Sequence, residues 1–75
     1  MSVHELNKVF GDKLRQIRLS KGLSQEQFAD HLSIHRTFVG QIERAEKNIS
    51  LSTVGKIAEK LEMNVEELLR SYKTK

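Results

Sequence analysis

Seventy-five residues allow one domain with a small core, since a chain of this size buries only about 60% of the surface its unfolded form exposes. Thirteen Lys and Arg against ten Asp and Glu leave a net charge of +3, which permits a nucleic-acid partner without demanding one. The absence of cysteine excludes disulfides and cysteine-based zinc sites, so a partner subunit becomes the expected source of extra stability.

No apolar run approaches a membrane span. The opening Met1-Ser2-Val3-His4-Glu5 lacks the basic-then-apolar order of a secretory signal, so a cytoplasmic protein is expected. There is no proline, no linker and no repeat, and helix-forming residues abound. These features predict a single all-α domain over residues 1–75, with five helices.

The first helix is expected at about 6–21, where Leu6, Phe10, Leu14 and Ile17 recur on one face. Gly22 suits the position after a helix that needs positive φ. Ser24 then opens S-Q-E-Q, a capping box in which Ser24 and Gln27 satisfy each other's amides. The second helix runs to about Leu32 and the third covers about 35–45. Glu46-Lys47-Asn48-Ile49 reads as a loop. Ser50 caps a fourth helix carrying Leu51, Val54, Ile57, Ala58 and Leu61. Asn64 and Glu67 form a second capping pair before a short fifth helix with Val65, Leu68 and Leu69. The tail from Ser71 is expected to fray, with Tyr72 able to pack.

Residues 25–44 carry the most information. Apolar residues at Phe28, Leu32, Ile34, Val39 and Ile42 follow helical spacing, slip near Ser33, and resume. Two short helices joined by a tight turn produce that pattern. The turn wants positive φ, where serine costs roughly 1 kcal/mol unless the turn takes another shape. The outward residues of the second helix of the pair are Arg36, Thr37, Gly40, Gln41 and Arg44. They suit entry into a DNA major groove.

Each outward residue has a functional and a plain reading. Arg36 can donate two bonds to guanine, or it is an ordinary surface arginine. Thr37 can offer a methyl or hydroxyl to a base, or serve the helix start. Gln41, one turn on, can pair with adenine. Gln25 begins its helix and can hold a phosphate beside the free N–H groups there, or it is a surface glutamine. His35, Arg44 and Lys47 are phosphate candidates or solvated charges. Gly40 costs about 1 kcal/mol in a helix interior, which calls for close approach of DNA or of another helix. Phe38 half-buries or lies against the sugar-phosphate backbone. His31 and His35 are four apart, but the turn between them and the lack of a third ligand argue against a metal. Glu66 and Glu67 look like a solvated face. No catalytic constellation or cofactor motif is present, so neither an enzyme nor a cofactor is expected.

At this point the chain resembles the Cro/repressor-like, or xenobiotic-response-element, helix-turn-helix family over about 10–69. The resemblance rests on R-x-x-x-G-L-S-Q-E-x-F-A from Arg18 to Ala29 and I-A-x-x-L from Ile57 to Leu61. R-T-F-V-G-Q-I-E-R-A-E-K-N-I-S-L, from Arg36 to Leu51, is most similar to controller proteins of restriction–modification systems. The resemblance implies a five-helix fold and a homodimer through the last two helices, about 50–71. It implies double-stranded operator DNA as partner, upstream of the protein's own gene and often of an endonuclease gene, with RNA polymerase as a further candidate partner. By position it implies base contacts from Arg36 and Thr37, phosphate contact from Gln25, and Lys47 in place of a DNA-contacting arginine. Arg18 and Glu43 match a family pair that forms a buried salt bridge.

Three positions depart from the pattern. Phe38 replaces tyrosine and loses a hydroxyl. Ala45 replaces a helix-ending glycine, so the third helix is expected to run longer. Lys47 replaces a forked guanidinium with a single charge. Met63, Val65 and Leu69 are the candidate dimer contacts, or they are core. A general Cro-like repressor of phage or chromosomal genes, or an antitoxin or interaction module of the same fold, is the competing function. The short segment ahead of the first helix and the short basic tail disfavour the antitoxin.

Overall fold

The computed structural model describes residues 2–69, so the expected fraying of the tail and packing of Tyr72 lie outside the described residues. Five helices follow in order: α1 Val3–Ser20, α2 Gln25–Leu32, α3 Arg36–Glu43, α4 Leu51–Leu61 and α5 Val65–Leu69. No strand occurs among the described residues. α1 packs on α3 and α5, α2 on α3 and α4, and α4 on α5. No described helix is long and apolar enough to cross a membrane.

α1 starts three residues earlier than its apolar spacing predicts. Ser2 accepts from the Glu5 N–H at 3.1 Å, and Glu5 accepts from the Ser2 N–H at 2.8 Å. This capping box satisfies two end amides and moves the start to Val3. The buried line of α1 is Asn7, Phe10, Gly11 and Leu14, the i, i+3, i+4, i+7 pattern of one helix face. Leu6, expected on that face, is 42% exposed because the face is centred one residue later.

The core is Phe10, Leu14, Phe28, Ala29, Leu32, Val39, Ile42, Val54, Ile57, Ala58 and Leu68. It draws from every helix, which explains how segments as short as eight and five residues stay helical: packing supplies what isolated propensity does not. The Ser24–Gln27 box is complete, Ser50 caps α4 by accepting from the Thr53 N–H at 3.1 Å, and Glu67 accepts from the Asn64 N–H at 2.9 Å. Glu67 therefore caps a helix and does more than solvate a face. Leu51, expected among the apolar residues of α4, is 80% exposed because the first turn projects beyond the core.

Four helices end in the same way. After α1, Gly22 N–H donates to the Leu19 carbonyl and Leu23 N–H to the Arg18 carbonyl, with Gly22 at φ +69°. This pair of bonds is the Schellman motif. It recurs at Ser33 (φ +61°), Ala45 (φ +57°) and Glu62 (φ +56°). Ser33 thus takes the strained left-handed turn that glycine would fill more readily. Ala45 corrects the expectation of a longer third helix. Its methyl group does not prevent the left-handed conformation, and α3 stops at Glu43.

Gly11 fixes the crossing of α1 and α3. A Cβ there would overlap the Ile42 carbonyl oxygen and press within 3.2 Å of the Glu43 carbonyl. The two backbones touch at this point, and only a residue without a side chain permits it.

Candidate nucleic-acid interface

Four charged and polar elements meet where α1, α2 and α3 join. Arg18 donates from Nε to Glu43 Oε2 at 2.7 Å and from Nη2 to Oε1 at 3.1 Å. Its Nη1 reaches the Leu23 carbonyl at 3.0 Å. The side chains of Arg18 and Glu43 are only 12% and 3% exposed, so this bidentate pair is buried. Gln25 adds a bond from Nε2 to Glu43 Oε1 at 3.1 Å. The network ties the end of α1, the turn after it, the start of α2 and the end of α3 into one unit. It fixes the start of α2 against α3.

Above this network lies a cleft of about 340 Å³, lined by Gln25, Glu26, Arg36, Thr37, Gly40 and Arg44. Four of the residues expected to contact DNA meet here: Gln25, Arg36, Thr37 and Arg44. Gln41 is half-buried, and it, His35 and Lys47 lie outside the lining. One N–H of the Gln25 amide is used by Glu43, which leaves the second N–H and the first backbone amides of α2 for an anion.

His35 caps α3. Its Nδ1 accepts from the Thr37 N–H at 3.1 Å. In the neutral ring the proton then sits on Nε2, which remains a donor. His31 lies in α2, so the two histidines belong to different helices.

Both arginines of the cleft face a glutamate. Arg36 Nη1 lies 3.5 Å from Glu26 Oε1, with side chains 66% and 68% exposed. Arg44 makes a bidentate pair with Glu46, Nε to Oε2 at 2.9 Å and Nη2 to Oε1 at 3.2 Å. The hydrogen bond from Arg44 holds the Glu46 carboxyl below the usual carboxylate range, and the same bond raises the Arg44 guanidinium. The Arg44 guanidinium also lies over Gly40, its Nη1 3.0 Å from where a Cβ would stand. The mid-helix glycine thus has a third reason besides DNA approach or helix packing: it seats this arginine.

Lys47 is exposed on the loop between α3 and α4. That loop is pinned to α1 by Asn7, whose Nδ2 donates to Asn48 Oδ1 at 2.8 Å and whose Oδ1 accepts from the Ile49 N–H at 3.4 Å. Asn7, Asn48, Glu26 and Glu46 were not legible as parts of this surface. A polar residue three before Phe10 on the core face was the available signal for Asn7. Phe38 is half-buried against the core and lines a separate groove with Leu32, Ile34 and Ile57. Met63 and Leu69 also pack partly on the core, whereas Val65 is 40% exposed.

Comparison with known proteins agrees with this geometry. The helix-turn-helix family matches residues 14–68. The chain is 42% identical over 67 residues to the control protein C.BamHI of Bacillus amyloliquefaciens, covering 88% of this chain and 83% of that protein. Among solved structures, the restriction-modification controller protein C.AhdI from Aeromonas hydrophila superposes with a TM-score of 0.77 at 37% identity, covering 91% of this chain and 99% of that one. The hypothetical transcription factor NHTF from Neisseria superposes with a TM-score of 0.83 at 33% identity, covering 97% and 84%. Within the frame of five helices and a polar cleft on α2 and α3, the chain belongs to the helix-turn-helix family, and its relatives include restriction–modification controller proteins.

Proposed function

We propose that this protein is a non-enzymatic, cytoplasmic transcription regulator that binds operator DNA as a homodimer and controls a restriction–modification system. The observation that carries the reading is the cleft itself, which gathers Gln25 from the start of α2, Arg36 and Thr37 from the start of α3 and Arg44 from its end. Its likeness to control proteins along most of their length supports the same conclusion.

Arg36 and Thr37 stand in the first turn of α3 and read bases, with Gln41 one turn on. Gln25 and the α2 amides hold a phosphate, and His35 and Lys47 neutralise neighbouring ones. One short helix contacts few bases, so two copies on half-sites about 34–36 Å apart are needed for specificity. Exposed Val65 on α5, with Met63 and Leu69 near it in the chain, supplies apolar surface for the second copy, and exposed Leu51 at the start of α4 adds to it. An activating role brings RNA polymerase in as a partner.

The test is titration of a duplex from upstream of the protein's own gene against random duplex, at two salt concentrations. Affinity is expected to fall steeply with salt and to favour the upstream fragment. Arg36→Ala is expected to keep the fold, since the Glu26 pair is on the surface, and to relax discrimination by about 1–3 kcal/mol at one base pair. Equal binding of upstream and random duplex would overturn the reading.

A further inference from the structure

Both arginines of the cleft are matched by a glutamate where a DNA-binding surface would be expected to be strongly positive. Arg36 faces Glu26 and Arg44 faces Glu46, and the whole chain carries only +3. All four side chains are more than half exposed, so neither pair is needed to hold the core together. Exposed pairs of this kind contribute little to stability. Their position is therefore the feature that calls for a reason.

Resting on the DNA-binding reading above, we propose that Glu26 and Glu46 are specificity determinants that keep the cleft arginines from the phosphates of random DNA, Glu26 releasing Arg36 to the correct base and Glu46 holding Arg44 throughout. On random duplex, an arginine exchanges a carboxylate for a single phosphate of the same charge and gains little. On the correct site, Arg36 exchanges one 3.5 Å contact for a forked pair of bonds to a base edge. The released Glu26, beside it in the cleft, is of the right type to accept from cytosine N4.

Glu46 works on a different contact. Gly40 leaves room for the Arg44 guanidinium to lie along α3, and Glu46 clamps it there with two bonds. Held in that way, Arg44 is not a free counter-charge for the passing phosphates of loosely bound random duplex, and it stays clamped and makes no phosphate contact when α3 is seated on the operator. The glutamates thus lower affinity for the bulk of DNA more than for the operator. Specificity is the difference between those two affinities.

The experiment measures binding of the upstream fragment and of random duplex by wild type, Glu46→Gln and Glu26→Gln, across a salt series. Glu59→Gln, on α4 outside the cleft, removes the same charge elsewhere. Freeing one cation should steepen the salt slope on random duplex by about 0.9, which is roughly eightfold in affinity at 0.1 M salt. The expected result for Glu46→Gln is that gain on random duplex, a change under about threefold on the upstream fragment, and no such effect for Glu59→Gln. Glu26→Gln should likewise reduce the ratio between the two DNAs. Equal gains on both DNAs, or the same gain from Glu59→Gln, would overturn the proposal. So would a loss of upstream binding in Glu46→Gln with random binding unchanged, since Glu46 would then only orient Arg44. Failure of the wild type to prefer the upstream fragment would instead sink the regulator reading itself.

Discussion

Replacing Arg18 by methionine removes the cation from a nearly dry carboxylate. Glu43, with a side chain 3% exposed, would keep only the Gln25 amide at 3.1 Å. Breaking one side of such a pair costs about 3–5 kcal/mol. A 75-residue domain has a total stability of about 4–11 kcal/mol, so the variant should stand at the edge of unfolding. Each kcal/mol moves the midpoint of a domain this size by about 4–8 °C, so a fall of at least about 12 °C is expected. The double variant Arg18→Met/Glu43→Leu removes the stranded charge. Its remaining losses are the Arg18 bond to the Leu23 carbonyl and the Gln25 bond, about 1 kcal/mol each. The double variant should therefore be more stable than Arg18→Met alone, with a coupling energy of about 2 kcal/mol or more. Thermal and urea unfolding at one fixed protein concentration measure both, because a dimer's apparent stability depends on concentration. A loss below about 1 kcal/mol in Arg18→Met would show that the pair behaves as a surface pair and that the network does not organise the cleft.

The other expectations follow from local geometry. Gly11→Ala should lower stability by at least about 1–3 kcal/mol in urea melts, because its methyl would enter the Ile42 carbonyl and force α1 from α3. Gly22→Ala meets no neighbour, so it should cost only the left-handed strain, about 1–2 kcal/mol; Ala45→Gly should relieve similar strain and come out neutral to stabilising, offset by greater freedom of the unfolded chain. A larger loss in Gly22→Ala than in Gly11→Ala would reverse the reasoning. The Glu5 carboxyl lies below the usual 4.5, through its bond from the Ser2 N–H first and the Ser2 hydroxyl second. Its contribution is therefore full above about pH 4.5 and lost as pH falls through the lower folded value. Backbone chemical shifts of Val3 to Glu5 should move toward coil in that window, and Glu5→Gln, which does not titrate there, should abolish the movement.

Much of this molecule can be read from its residues in order. The capping box at Ser24, the Asn64–Glu67 bond and the cap at Ser50 are local chemistry between residues three apart, and the turn at Gly22 is local backbone freedom. The apolar pattern of residues 25–44 likewise marks two helices and a turn, since helical periodicity needs no knowledge of partners. Glu26 and Glu46 carry no such signal, because their partners are ten and two residues away in directions that only the placed helices define. Apolar spacing puts Leu6 on the core face of α1 because it cannot count the polar Asn7 that stands there.

The sequence by itself determined the fold class and the five helices, because each depends on local periodicity and end-capping, whereas of the outward residues expected on α3 the structure buries Gly40 and half-buries Gln41. Tertiary structure alone decided three other things: the close crossing at Gly11, the loop pinned by Asn7 and Asn48, and the balanced charges of the cleft. Each of these is a contact between segments, whose free energy exists only after the core has brought those segments together.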